Sequence, residues 1–116
     1  MIPFELSDNL NHTWFIDMDG TVVEVSYPPY DNDKLLPGVV ELWASIPKDD
    51  IIVITTARAK EFKEKTLKIL DDNNLRYDHT LFDLAHGERI VVNDNKEHGL
   101  QCAIAWNVKR NGGYPQ

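Results

Sequence analysis

The chain has 116 residues, a single cysteine and a formal net charge of −7. This length suits one domain, 1–116, with a single core, and the acidic balance argues against a broad nucleic-acid or membrane surface. Cys102 has no partner for an internal disulfide, no stretch approaches a membrane span, and the amino terminus lacks a basic-then-apolar leader, so a cytoplasmic chain is expected.

Met1–Asn11 is mixed in character and reads as a loosely packed lead-in. Trp14-Phe15-Ile16 is an unbroken apolar run, the pattern of a strand buried on both faces of a parallel sheet. It runs into Asp17-Met18-Asp19-Gly20-Thr21. Side chains alternate along a strand, so Asp17 and Asp19 share a side, and Gly20 supplies the freedom for a sharp bend. Val22–Val25 followed by Tyr27-Pro28-Pro29-Tyr30 reads as a flap beside the site or as a plain surface loop, spanning 20–34. Pro37 opens a helix whose stripe is Val39, Leu42, Trp43 and Ile46, and Pro47 closes it. Trp43 belongs to the core on this spacing.

Ile51-Ile52-Val53-Ile54 is a second buried strand, ending in Thr55-Thr56-Ala57-Arg58. A helix over Lys60–Asn73 follows, with Phe62, Thr66, Leu67, Ile69 and Leu70 inward. On its outer side Glu61–Lys65 and Glu64–Lys68 are spaced for ion pairs. Tyr77–Phe82 is a third candidate strand, Ala85–Glu88 a turn, and Ile90-Val91-Val92 a short strand leading into Asn93-Asp94. Ala103–Val108 reads as the last strand, and 111–116 as a flexible end.

Strands alternating with helices predict an α/β fold with a doubly wound, mainly parallel sheet. Successive strand ends then collect on one rim, where ligands of open α/β sheets sit. That rim gathers Asp17, Asp19, Thr56 and Asp94. Neighbouring carboxylates repel unless a cation neutralises them or one keeps a proton. Both solutions suit phosphate chemistry: a hard oxygen cage for Mg²⁺, or a carboxylate that attacks phosphorus. Asp and Gly are also ordinary in a turn after a strand. Thr56 can offer its hydroxyl to a phosphate oxygen or cap the next helix, and Arg58 can bind substrate phosphate or pair with a nearby acid.

The stretch Asp17–Thr21 after an apolar strand resembles the first motif of the haloacid dehalogenase-like (HAD) phosphohydrolases. Thr56-Ala57-Arg58 resembles the second motif, and Val91-Val92-Asn93-Asp94 the fourth. The resemblance implies that Asp17 is the nucleophile, forming an aspartyl phosphate, and Asp19 the acid and then the base. It implies that Thr56 holds the transferring phosphoryl group, and that Asp17, the Asp19 carbonyl and Asp94 hold Mg²⁺. Gly20, Thr21, Arg58 and Asn93 would line the substrate. The third-motif Lys has no counterpart: between Leu75 and Asn93 the cations are Arg76 and Arg89, with Lys60, Lys63, Lys96 and His86 as other candidates. The roughly fifteen residues between Thr21 and the first helix fall far short of the roughly 50 an independent domain needs, so a member without a cap domain is expected. The implied activity is Mg²⁺-dependent phosphomonoester hydrolysis on a small phosphorylated metabolite. Its alternatives are a weakly catalytic Mg²⁺- or phosphate-binding module and a phosphatase of nucleotide or nucleic-acid ends. A homo-oligomer in which one protomer covers another's site is a further expectation, and no membrane partner is expected.

Overall fold

The computed structural model describes residues 1–115. Three strands, β1 (Thr13–Asp17), β2 (Ile51–Thr55) and β3 (His79–Leu81), form a parallel sheet in the order β1-β2-β3. Helix α1 (Val39–Ser45) connects β1 to β2. A 3₁₀ turn (Lys60–Phe62) continuing into α2 (Lys63–Asp72) connects β2 to β3. The chain is therefore α/β, with a small parallel sheet and two helices.

The apolar stripes explain these elements. Val39, Leu42 and Trp43 are the buried positions of α1, and Ile46, the next on the same stripe, is buried just beyond its end. Thr66, Leu67 and Leu70 are the buried positions of α2. Leu67 and Leu70 join Ile16, Met18, Val22, Val23, Ile52 and Ile54 in one core. Trp43 lies in that core, with its indole N–H donating to the Arg76 carbonyl at 2.8 Å. The outward pairs on α2 differ from those expected: Lys65 bonds Asp31 and Lys68 bonds Asp72, because these acids lie nearer than Glu61 and Glu64.

β2, the central strand, is buried from Ile52 to Thr55. β1 is not buried on both faces. Ile16 is buried and Trp14 half-buried, but Phe15 is exposed, because β1 is an edge strand and its second face carries no layer. The strands expected at Ile90–Val92 and Ala103–Val108 do not form; both stretches are irregular backbone. Neither stretch pairs with a strand, although Trp106 and Val108 pack against the core, and a run without a paired neighbour has nothing to hold it in a sheet. Asn95 and Gln101 make the only ladder contact in that part of the described chain, an isolated antiparallel bridge.

Aromatic and polar contacts join both ends of the described chain to its core. Phe4 packs against Trp14 and Trp106, and Trp106 stands edge-on to Tyr114. His12 donates its main-chain N–H to the buried Asp50 carboxylate at 3.0 Å, and the Trp14 indole donates to the same group at 2.9 Å. In the stretch expected as a flexible end, Tyr114 is buried in the core cluster while Asn111, Gly112 and Pro115 are exposed; Gln116 lies outside the described residues.

Candidate functional site

The register places Asp17, Thr55 and Leu81 side by side at the carboxyl ends of the three strands. Beyond that rim the chain turns sharply: the Met18 carbonyl accepts the main-chain N–H groups of Thr21, Val22 and Val23. Gly20 occupies the left-handed region at φ +81°, as its place in this bend requires. The turn sends the chain into a hairpin-like flap, held where Val23 bridges Leu35 and Glu24 donates its N–H to the Lys34 carbonyl.

Asp17 is half-exposed at the mouth of this turn. The Thr21 hydroxyl donates to its Oδ2 at 3.3 Å, and an Arg89 guanidinium nitrogen lies 3.6 Å from its Oδ1. Burial pushes the Asp17 carboxyl above the ordinary carboxylate value, while Arg89, Thr21 and the Met18 amide pull the other way. Arg89 is itself positioned by donating to the Ala85 and Gly87 carbonyls. Of the cations in the third-motif span, Arg89 is the one that reaches the predicted nucleophile. Arg76 instead donates to the Asp50 and Pro47 carbonyls.

Asp19 is held differently. Arg58 donates to both of its oxygens, at 3.0 and 2.7 Å, and to both oxygens of Asp33 in the flap, at 2.8 and 3.0 Å. Thr66 accepts a further bond at 3.2 Å, and the Tyr30 ring covers the guanidinium carbon at 3.7 Å. All five N–H groups are thus engaged. Burial alone would lower the Arg58 value, but the bonds to Asp19 and Asp33 raise it above its ordinary value. Of the two alternatives for Arg58, the acid pairing is the one made. With 1 % of its side chain exposed, Arg58 has no free donor for a substrate.

Thr56 is buried, and its hydroxyl oxygen accepts the Arg58 main-chain N–H at 3.0 Å. This is the local cap-like arrangement, so the hydroxyl does not open onto the rim. Asn93 and Asp94 are exposed on irregular backbone, since the strand meant to deliver them is not formed. Among the described residues, no group of three or more His, Cys, Asp or Glu side chains could hold a metal ion. The Asp17, Asp19 and Asp94 side chains are not gathered into such a group: Asp94 stands exposed on irregular backbone, and Asp19 is engaged by Arg58. A concavity of about 540 Å³ lies elsewhere, lined by Ser7, Leu10, Lys96, His98 and Leu100 among others; of the predicted candidates it includes Lys96 alone.

Sequence reasoning missed three participants: Asp33, Asn111 and Tyr114. Asp33 sits in an acidic Asp31-Asn32-Asp33 run that signals only a turn. Asn111 donates its N–H to the Gly20 carbonyl at 2.9 Å, and its side-chain oxygen accepts the Val25 N–H at 2.9 Å. The Tyr114 hydroxyl donates to the Thr21 carbonyl at 2.8 Å. Burial, with the Asp17 charge as a second cause, pushes the Tyr114 phenol up to about 12. An Asn-Gly-Gly stretch carries no sequence signal for such docking. Among the described residues no helix is long and apolar enough to cross a membrane. Comparison of the chain with protein-family models, with curated proteins and with solved structures finds no match.

Proposed function

We propose that the chain is a phosphomonoester hydrolase of the HAD type, working through an aspartyl phosphate on Asp17. One observation carries this: a half-exposed carboxylate at the rim of a parallel sheet, with a hydroxyl on one oxygen and a guanidinium beside the other. Thr21 orients the carboxylate, and Arg89 supplies the cation that favours its charged form and opposes the repulsion between anions. Asp17 attacks phosphorus and the ester P–O bond breaks. Asp19, once protonated and released from the Arg58 fork, gives its proton to the leaving oxygen. Asp19 then takes a proton from the water that cleaves the acyl phosphate. A shallow rim and net acidity suit a small phosphorylated metabolite; a nucleotide or nucleic-acid end is the other substrate class, and a second protomer covering the rim would exclude water.

The doubly wound sheet belongs to the same proposal. The outer edge of β1 is unpaired and Phe15 exposed, while Ile90-Val91-Val92 is exposed and unpaired as well. Pairing of that run with β1 would extend the sheet and carry Asp94 toward Asp17, where the resemblance puts the Mg²⁺ site. The test is turnover of an aryl phosphate with and without Mg²⁺. Asp17→Asn is expected to abolish it, and equal turnover in the two proteins would sink the assignment.

A second reading has an observation of its own. Both Asp19 oxygens accept from Arg58, so neither is free to meet a leaving oxygen while the fork holds. This favours a phosphate-binding module with little catalysis. No turnover across a panel of phosphate esters, with phosphate binding weakened by Arg89→Ala, would select it.

A further inference from the structure

We propose that the carboxyl-terminal strap Asn111–Tyr114 is a positioning element for the Asp17–Thr21 turn, with Tyr114 and Asn111 as its working residues. As a claim about catalysis it rests on the phosphohydrolase reading; as a claim about what holds the turn it does not.

The strap crosses the turn at consecutive points. The Asn111 N–H takes the Gly20 carbonyl, and the Asn111 side-chain oxygen takes the Val25 N–H where the flap begins. Asn111 adopts φ 60°, a left-handed conformation that Asn tolerates better than most residues, and this lets one residue grip both sides of the turn. Farther on, the Tyr114 N–H donates to the Pro37 carbonyl at 2.7 Å and its hydroxyl to the Thr21 carbonyl at 2.8 Å. Gly38 and Gly113 permit this approach. Each has positive φ, and a Cβ at either would collide with main-chain atoms of Tyr114 or Pro37. Trp106 backs the Tyr114 ring edge-on at 5.6 Å.

Three of these four ties end on Gly20, Thr21 and Val25, and the fourth on Pro37. The Thr21 hydroxyl sits 3.3 Å from Asp17, near the long limit for such a bond, so a small shift of the Thr21 main chain breaks it. Tyr114 touches no reacting atom; it acts through Thr21. The buried hydroxyl also lies close enough to feel the Asp17 charge, which places the strap and the nucleophile in one electrostatic neighbourhood.

The test uses the full chain carrying Tyr114→Phe or Asn111→Gly. The first removes only the hydroxyl; the second keeps a left-handed backbone and the main-chain bond but loses the grip on Val25. Amide hydrogen exchange at Thr21–Val23 is expected to speed up by about tenfold in each, with β2 amides unchanged. With an aryl phosphate, kcat is expected to fall by about tenfold and KM to stay within about twofold. Unchanged exchange at the turn in both variants overturns the proposal, and so does faster exchange spread evenly over all three strands, which would mark Tyr114 as a core residue only. If the wild-type chain shows no turnover, the phosphohydrolase reading fails while the exchange measurement still decides whether the strap holds the turn.

Discussion

Ile51–Ile54 and Ile90–Val92 are nearly the same composition, yet one is the centre of the sheet and the other is surface. Ile52 and Ile54 are both 0 % exposed, whereas Ile90 and Val92 are 84 % and 91 % exposed. β2 has a strand on each side and α2 packing into the core beside it; Ile90–Val92 has neither. Propensity for a pleated, half-buried surface is met only where other elements provide that surface. The residues that follow share the same fates. Arg58, after β2, is clasped by Asp19 and Asp33, while Asp94 stands in solvent.

The largest contrast is expected at those trailing residues. Arg58→Met leaves Asp19 and the buried Asp33 without their cation and is expected to cost about 3–5 kcal/mol in urea unfolding. Asp94→Asn is expected to change stability by less than about 0.5 kcal/mol. A loss of Mg²⁺-dependent turnover in Asp94→Asn would break the comparison in an informative way, because it would place 90–94 at the rim in the working state. Next come the runs themselves. Ile54→Ala should cost about 2–5 kcal/mol through lost burial and a cavity, and Val92→Ala about 0.5 or less, both read by denaturant midpoint at constant slope. Equal costs would mean that Val92 is packed in solution.

The smallest effect concerns pH and separates the strap from the irregular stretch before it. Tyr114 keeps its proton up to about 12 when folded, against an ordinary value of 10.0, so the native state binds the extra proton. Its contribution to stability is whole below 10 and is lost as pH rises through about 12. Tyr114→Phe should flatten that alkaline limb in thermal melts. On the acid side, burial alone would raise Asp50, but bonds from Trp14 and His12 outweigh it and hold the group below its ordinary value. Stability from Asp50 is therefore present above its unfolded value and declines as pH falls toward the folded one. Asp50→Asn should shallow the acid limb.

Most of the first two-thirds of the chain was legible. The stripe from Val39 to Ile46 is local, and so are the runs at β1 and β2. The helix stripe and the β2 run report their own burial because period is set over short spans, whereas β1, buried on one face only, shows that the covering of a strand is not. The candidate site was legible only in part. Asp17 and Thr21 follow from a strand-end pattern, and Arg89 was visible as one cation among several. For Arg58 the acid pairing was one of two open alternatives, and its partners were not legible, because Asp19, Asp33 and Thr66 meet it only after the flap and α2 fold over it.

Local order alone determined the α/β class, the parallel strands and the place of Asp17 at a strand end, since side-chain period and turn chemistry act within a few residues. Tertiary structure decided which β-branched run became a strand, which two acids Arg58 holds, and that Tyr114 grips the turn bearing Thr21. Those outcomes depend on which surfaces meet across long stretches of chain, and on the burial and hydrogen bonding that only such meetings supply.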